Sequence, residues 1–293
     1  VAVAFDSVVI VFNPNSTGDA ERLANQLGTA LSRRRPELPV ELRPTERAGH
    51  AREIAREVAS SGRPLIVSVS GDGGYNEVVD GVMQAPGARA VCAVLAAGNA
   101  NDHRRVTRER PLADSILAGE VRRMDLLRLT VGDGPGAVTR YAHSYIGLGI
   151  TPVVALELEK GGKGSFREIV TTIRAFARFR PFEIEVADGP RSFDSLVFAN
   201  IAEMAKYATL SAGGRPDDGR FEVVLLPHTA KWRVLGTALK AAFRGLGRQP
   251  SVGDYRFRTI KPMPLQIDGE VMELDAGSPV TVDIAAGALE TVV

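Results

Sequence analysis

Asp72 stands among four small residues, in the run Ser70-Gly71-Asp72-Gly73-Gly74, directly after the apolar segment Leu65, Ile66, Val67 and Val69. A helical stretch then opens at Tyr75-Asn76-Glu77. A strand, a glycine turn and a helix N-terminus together suit a phosphate group. Glycine lets backbone N–H groups come close to an anion, and the helix start offers unpaired donors and the positive end of a dipole. A carboxylate beside a phosphate makes sense when a divalent cation or a substrate hydroxyl lies between them. Two more carboxylates, Asp268 and Glu270, flank Gly269 between strand-like runs, where a hairpin turn needs only one. A purely structural reading of the first turn also stands, because Gly and Asp serve strand-to-helix turns through φ > 0 and capping. The turn has neither the Lys-Ser/Thr pair of a Walker loop nor the G-x-G-x-x-G spacing.

The elements that must position these groups alternate in type over the first half of the chain. Ser7 to Phe12 reads as a buried strand that ends in the polar loop Asn13-Pro14-Asn15-Ser16-Thr17-Gly18. A helix follows, capped by Asp19, with Leu23, Leu27, Ala30 and Leu31 on one face. Val40 to Arg43 is a second strand, Thr45 to Ala59 contains a helix, and Ala90 to Leu95 is a further buried strand leading into Gly98-Asn99-Ala100-Asn101-Asp102. Pro111 to Ala118 reads as a short helix and Met124 to Leu129 as a strand. Gly132 to Gly136 lies between strands and is a hairpin turn. Strand-like runs then dominate: Tyr141 to Ile146, Phe182 to Val186, Ser195 to Ala199, Phe221 to Leu226, Tyr255 to Ile260 and Pro264 to Ile267. Helices are expected at Phe166 to Phe179 and Lys231 to Phe243. The expected fold is an α/β nucleotide-binding domain over residues 1–128, followed by a mainly antiparallel β-sandwich domain over 129–279. The tail, 280–293, is expected to rejoin the first domain.

With 293 residues the chain has room for two cores. Hydrophobic content of 44% with 24% charged residues is that of an ordinary water-soluble protein. The longest apolar stretch, Val91 to Ala97, is far below the roughly 20 residues that span a bilayer. Val1 to Phe5 lacks a basic lead and runs into a strand, so no signal peptide is expected. The single cysteine, Cys92, excludes an intrachain disulfide and a cysteine metal cluster and fits a reducing cytoplasm. A net charge of +1 implies no nucleic-acid partner. The charge is uneven, however. Arg33-Arg34-Arg35, and His103-Arg104-Arg105 with Arg108 and Arg110, are solvated helix ends or else attract an anionic membrane surface.

The central turn resembles the G-G-D-G-T-x-N-E signature of the diacylglycerol kinase and sphingosine kinase catalytic domains, a superfamily shared with NAD kinases and phosphofructokinases. Ser70-Gly71-Asp72-Gly73 has the S-G-D-G form of sphingosine kinases. Asn76-Glu77-Val78-Val79-Asp80-Gly81 resembles the N-E-V-x-N-G of bacterial lipid kinases. Gly74 stands where the family usually has Thr. Three other loops follow in family order: Asn13 to Gly18 resembles N-P-x-S-G, Thr45 with Gly49-His50-Ala51 resembles T-x-x-x-G-H/D-A, and Ala96 to Asp102 resembles P-x-G-T-x-N-D. Later come Asp217-Asp218-Gly219, similar to the family's D-D-G, and Asp268-Gly269-Glu270, similar to its D-G-E.

The resemblance implies a kinase that transfers the γ-phosphoryl group of ATP, with Mg²⁺, to a lipid hydroxyl in an interdomain cleft. Diacylglycerol is the first acceptor and a sphingoid base the second. It implies nucleotide contacts from Asn13, Pro14, Asn15, Ser16, Thr17, Thr45, Gly71, Asp72, Gly73, Gly74, Tyr75, Asn76, Glu77, Gly98, Asn99, Asn101 and Asp102. A structural Mg²⁺ would be held by the Asp218 carboxylate with main-chain oxygens of Arg215 and Arg220. Asp268 would be the base, Glu270 would orient it or the metal, and Asp72 is the competing base. The enzyme would be cytoplasmic and visit the inner membrane face to meet its lipid; pairing with a second copy is left open. Two rivals remain at this stage: a soluble-substrate kinase of the same superfamily, against which D-G-E and D-D-G argue, and a non-catalytic nucleotide or lipid sensor, which the departures at Gly74, Ala96 and Asn99 keep open.

Overall fold

Apolar runs separated by helices of one apolar face become a parallel sheet with helices on both sides. The computed structural model describes residues 5–16, 19–97, 110–149, 181–201, 203–204, 208–209, 214–228 and 247–293. The chain divides into two units, one reaching Leu126 and including Ala286–Val293, the other covering Leu127–Ala285. The first unit contains β1 (Ser7–Phe12), α1 (Ala20–Arg34), β2 (Val40–Pro44), α2 (His50–Ala59), β3 (Pro64–Ser70), α3 (Asp72–Gln84), β4 (Val91–Ala96), α4 (Leu112–Ala118) and the first half of β5 (Val121–Val131). Its strands run parallel in the order β2-β1-β3-β4. The end of the C-terminal strand adds beside β4, also parallel, with Glu290 opposite Val91.

Alternation along each strand decides what each face of this sheet does. Leu65, Val67 and Val69 of β3 join Val8, Ile10 and Phe12 of β1 under Ala20, Ala24, Leu27 and Leu31 of α1. Ile66, Ser68 and Ser70 therefore face the other side, where α2 and α3 pack on each other. That packing is tight: a Cβ on Gly81 would lie 2.3 Å from the Arg52 carbonyl oxygen. The same contact buries Asp80, which accepts from Arg52 Nε at 2.7 Å and from Gln84 Nε2 at 3.0 Å.

Helix α3 begins at Asp72, three residues before the helical stretch that the sequence suggests. Gly71 is its extended N-cap residue, and the Tyr75 N–H donates to the Gly71 carbonyl at 3.1 Å to close the first turn. A first turn leaves its own N–H groups without intrahelical partners. Asp72, Gly73 and Gly74 are thus the helix start and not a loop ahead of it.

The second unit continues β5 and contains β6 (Val138–Ala142), β7 (Tyr145–Gly149), β8 (Phe182–Val186), β9 (Gly189–Ala199), β10 (Glu203–Met204), β11 (Ala208–Thr209), β12 (Phe221–Pro227), β13 (Ser251–Val252), β14 (Asp254–Thr259), β15 (Met263–Ile267), β16 (Glu270–Leu274) and β17 (Pro279–Val292) as far as Ala285. These strands pair antiparallel along β16-β15-β7-β9-β8-β14-β17. Their inward residues share one core, in which Phe198 meets the rings of Phe221 at 5.7 Å and Phe257 at 6.5 Å. The turn at Gly132 to Gly136 joins β5 to β6 through a single 3-10 turn, Gly134–Gly136. The helices expected at 166–179 and 231–243 lie outside the described residues.

One expected strand is two. The run from Tyr141 to Ile146 breaks at His143 and Ser144, between β6 and β7. The backbone N–H groups at the break donate to a side chain, Asp268, and so are lost to the strand ladder.

Candidate active site

The order β2-β1-β3-β4 reverses direction beside β1, which makes the carboxyl ends of β1 and β3 a topological switch point. In open α/β sheets such a point is where ligands bind, because the loops there diverge and leave a crevice. A cavity of about 450 Å³ occupies it, lined by Asn13, Asn15, Ser16, Thr45, Ser70, Gly71, Gly74 and Glu77, among others.

Local chemistry holds the walls. Asn13 Oδ1 accepts the Asn15 N–H at 2.9 Å, and the Asn13 carbonyl accepts the Ser16 N–H at 3.1 Å. This bends the loop after β1 so that the Ser16 hydroxyl is buried without a hydrogen-bond partner. Thr45 is tied to the end of β1 through its N–H and the Phe12 carbonyl, at 2.8 Å. Glu77 Oε1 accepts the Gly49 N–H at 3.1 Å, fixing the entrance of α2 against α3. The N-terminus of α3 has no side-chain cap.

The expected nucleotide residues divide accordingly. Asn13, Asn15, Ser16, Thr45, Gly71, Gly74 and Glu77 line the cavity. Pro14 lies exposed on the turn, and Asp72 and Gly73 are half-buried in the first turn of α3. Tyr75 and Asn76 are fully buried and belong to the packing behind the turn. Thr17, Gly98, Asn99, Asn101 and Asp102 lie outside the described residues, as do Arg104, Arg105 and Arg108 of the basic cluster.

The second Asp-Gly turn is built quite differently. Asp268 and Gly269 both have positive φ, 43° and 97°, and link β15 to β16 with Ile267 opposite Glu270. That is the two-residue hairpin that Asp-Gly favours. The Asp268 side chain turns inward and is completely buried. It accepts the N–H groups of His143 at 2.6 Å, Ser144 at 3.1 Å and Tyr145 at 2.8 Å, while His143 Nε2 lies 3.4 Å from Oδ2. Burial pushes this carboxyl above the usual carboxylate range, against the lowering pull of the His143 ring and the three N–H groups. Glu270 pairs with Arg140, both partly buried.

Asp218 closes its own turn by accepting the Arg220 N–H at 3.0 Å, and Arg215 pairs with Asp217 at 3.2 Å. Among the described residues no three His, Cys, Asp or Glu side chains gather around a point that would hold a metal. None of their helices is long and apolar enough to cross a membrane.

Two residues at the site, one of them in the central glycine run, carry no assigned contact in the sequence reading. Ser68 and Ser70 share a hydrogen bond between their hydroxyls at 2.7 Å, and both line the switch-point cavity. Their signal is the i, i+2 placement of two hydroxyls in an otherwise apolar strand.

Residues 7–129 match the family model of the diacylglycerol kinase catalytic domain, a span that contains the whole switch-point cavity. Over that segment the chain is similar to the family's catalytic domain. Over 247 residues the kinase is 26% identical to the probable lipid kinase YegS-like protein of Chromohalobacter salexigens, covering 78% of this chain and 76% of that one. Its fold is similar to that of a diacylglycerol kinase from Bacillus anthracis, with a TM-score of 0.74 at 18% identity over 100% of this chain and 98% of the other. A more distant likeness joins it to yeast NADH kinase, with a TM-score of 0.53 at 14% identity, covering 96% of this chain and 79% of that one. The two-domain fold expected from the sequence is the one observed.

Proposed function

We propose that this kinase transfers the γ-phosphoryl group of ATP to a lipid hydroxyl, with diacylglycerol as the first choice of acceptor. The observation that carries the reading is the cavity at the β1/β3 switch point. There a buried, partnerless Ser16 hydroxyl lies in the same wall as an uncapped, glycine-led helix N-terminus. An anion supplies what both lack, so the residues present fit a polyphosphate. Phosphoryl transfer then needs mainly positioning and charge neutralisation.

The chain's own groups divide that work. Backbone donors at Gly71 to Gly74 and the Ser16 hydroxyl bind phosphate oxygens, while Asn13 and Glu77 hold the two loops at the required spacing. Asp72, in the first turn of α3, is the carboxylate on the phosphate side, and it takes up the proton of the attacking hydroxyl. Asp268 is a poorer base, because both its oxygens are already engaged by backbone N–H groups and no solvent reaches it. Its task is to hold the break between β6 and β7. Mg²⁺, bound with the nucleotide, would neutralise charge on the phosphates.

The lipid acceptor rests on the family and on the name of the Chromohalobacter relative. The Ser70-Gly71-Asp72-Gly73 form favours a sphingoid base as the second choice. A lipid substrate calls for peripheral contact with the inner membrane face from the cytoplasm. Of the basic cluster invoked for that contact, Arg110 is described, and it pairs with Glu120 at 2.5 Å.

The test is incubation with γ-labelled ATP, Mg²⁺ and mixed micelles containing diacylglycerol or sphingosine. Label should appear in a lipid phosphate with diacylglycerol, and Gly73→Val, which crowds the helix start, should abolish it. Tight nucleotide binding with no label in either lipid would contradict the lipid-kinase reading.

A further inference from the structure

The glycine at position 74 has a visible cause. A Cβ placed there would lie 2.7 Å from the Cβ of Ser70 and 2.8 Å from its hydroxyl. The hydroxyl can rotate away, but a Cβ is fixed to the backbone. On this backbone, therefore, positions 70 and 74 cannot both carry a side chain without a shift. The G-G-D-G-T pattern leaves the first of these positions bare and puts a hydroxyl on the second. The present chain does the reverse.

From this contact, and resting on the nucleotide reading above, we infer that Ser70 is a phosphate-binding residue, supplying from the end of β3 the hydroxyl that position 74 lacks. Ser70 lines the switch-point cavity together with Gly71, Gly74 and Ser16. Its hydroxyl donates to the carbonyl of the adjacent Gly71 at 2.9 Å and shares a bond with Ser68 at 2.7 Å. Rotation about the Cβ–Oγ bond alone moves the donated hydrogen from that neutral carbonyl to an anionic oxygen, a stronger acceptor. Ser68 is buried and stays behind as a donor to the Ser70 oxygen, so the hydroxyl pair is polarised towards the cavity. The Gly74 N–H, unobstructed by any side chain of its own, adds to the same wall.

The substitutions that test this are Ser70→Ala, Gly74→Thr and the exchange Ser70→Gly with Gly74→Thr. Affinity for Mg²⁺ and a non-hydrolysable ATP analogue is measured by calorimetry, with circular dichroism and a melting curve for each protein. Ser70→Ala keeps the Cβ and the packing, so it should melt near the parent temperature yet bind about tenfold more weakly, as expected for loss of a hydrogen bond to a charged group. Gly74→Thr alone should lower both melting temperature and affinity through the clash. The exchanged pair should bind within about threefold of the parent, a non-additivity typical of residues in contact.

Parent-like affinity in folded Ser70→Ala would overturn the assignment of Ser70 while leaving the kinase reading intact. An exchanged pair no better than Gly74→Thr would overturn the reciprocal placement of the hydroxyl. A parent protein that binds no nucleotide at all would overturn both this inference and the function on which it rests.

Discussion

Two Asp-Gly turns, far apart in sequence, do opposite things in this protein. At Asp72 the turn joins a parallel strand to a helix, and the backbone donors of the helix start have no side-chain cap. At Asp268 the turn joins two antiparallel strands, and the carboxylate is swallowed whole by the backbone N–H groups of residues 143–145. The first is a helix start that no side chain caps. The second is an acceptor whose donors are already in place. The same two residue types thus open a helix or form a structural clasp, depending on which elements surround them.

The largest expected effect comes from removing the first carboxylate. Asp72→Asn should lower turnover by about 10²–10⁴, the usual cost of losing a general base. Because Asp72 is half-buried at a helix start, the fold should lose little, within about 0.5 kcal/mol by urea denaturation. A large loss of stability with turnover kept would reverse the roles of the two turns.

Asp268→Ala should do the opposite. It strips the partner from three buried N–H groups, each worth roughly 1–3 kcal/mol when orphaned. Denaturation should show a loss above about 3 kcal/mol, and nucleotide affinity of the remaining folded protein should stay close to that of the parent. Parent-like stability would mean that the N–H groups find other acceptors and that Asp268 is available for chemistry.

These contrasts show what the sequence could and could not convey. The strands of the first unit were legible because their apolar runs end at Asn13, Ser70 and Ala97, where polar or small residues interrupt the pattern. The loops of the switch point were legible through their types and order. The start of α3 was not, because glycines normally argue against helix, whereas a first helical turn needs no internal bonds and tolerates them. The break at His143 and Ser144 was equally hidden. Its cause, Asp268, lies more than a hundred residues away, and nothing local marks it. Nor does any pattern in sequence reveal that Ser70 and Gly74 compete for one space, since that depends on the angle at which α3 leaves β3.

The smallest effect is one of pH. Burial holds the Asp268 carboxyl above its unfolded value, so the protonated form favours the folded state. This contribution is fully present below the unfolded carboxyl pKa and is lost as pH rises through the raised folded value. Asp268→Asn has no such titration, and Asn tolerates the positive φ at this position. Its stability deficit relative to the parent should therefore be greatest in acid and shrink as pH rises towards neutrality. Urea melts of the two proteins across that range measure the difference. A deficit that grows with pH would show that the N–H groups, and not burial, dominate the carboxylate.

The most direct measurement is a titration of the isotopically labelled protein with Mg²⁺ and a non-hydrolysable ATP analogue, followed by backbone amide NMR. The amides of Asn15, Ser16 and Gly71 to Tyr75 should shift most and saturate together, while those of His143, Ser144 and Tyr145 should hold their positions because the Asp268 carboxylate already engages them. Shifts that centre on residues 143–145 and 268–270, with Gly71 to Gly74 unmoved at saturation, would contradict the assignment of the phosphate site to the β1/β3 switch point.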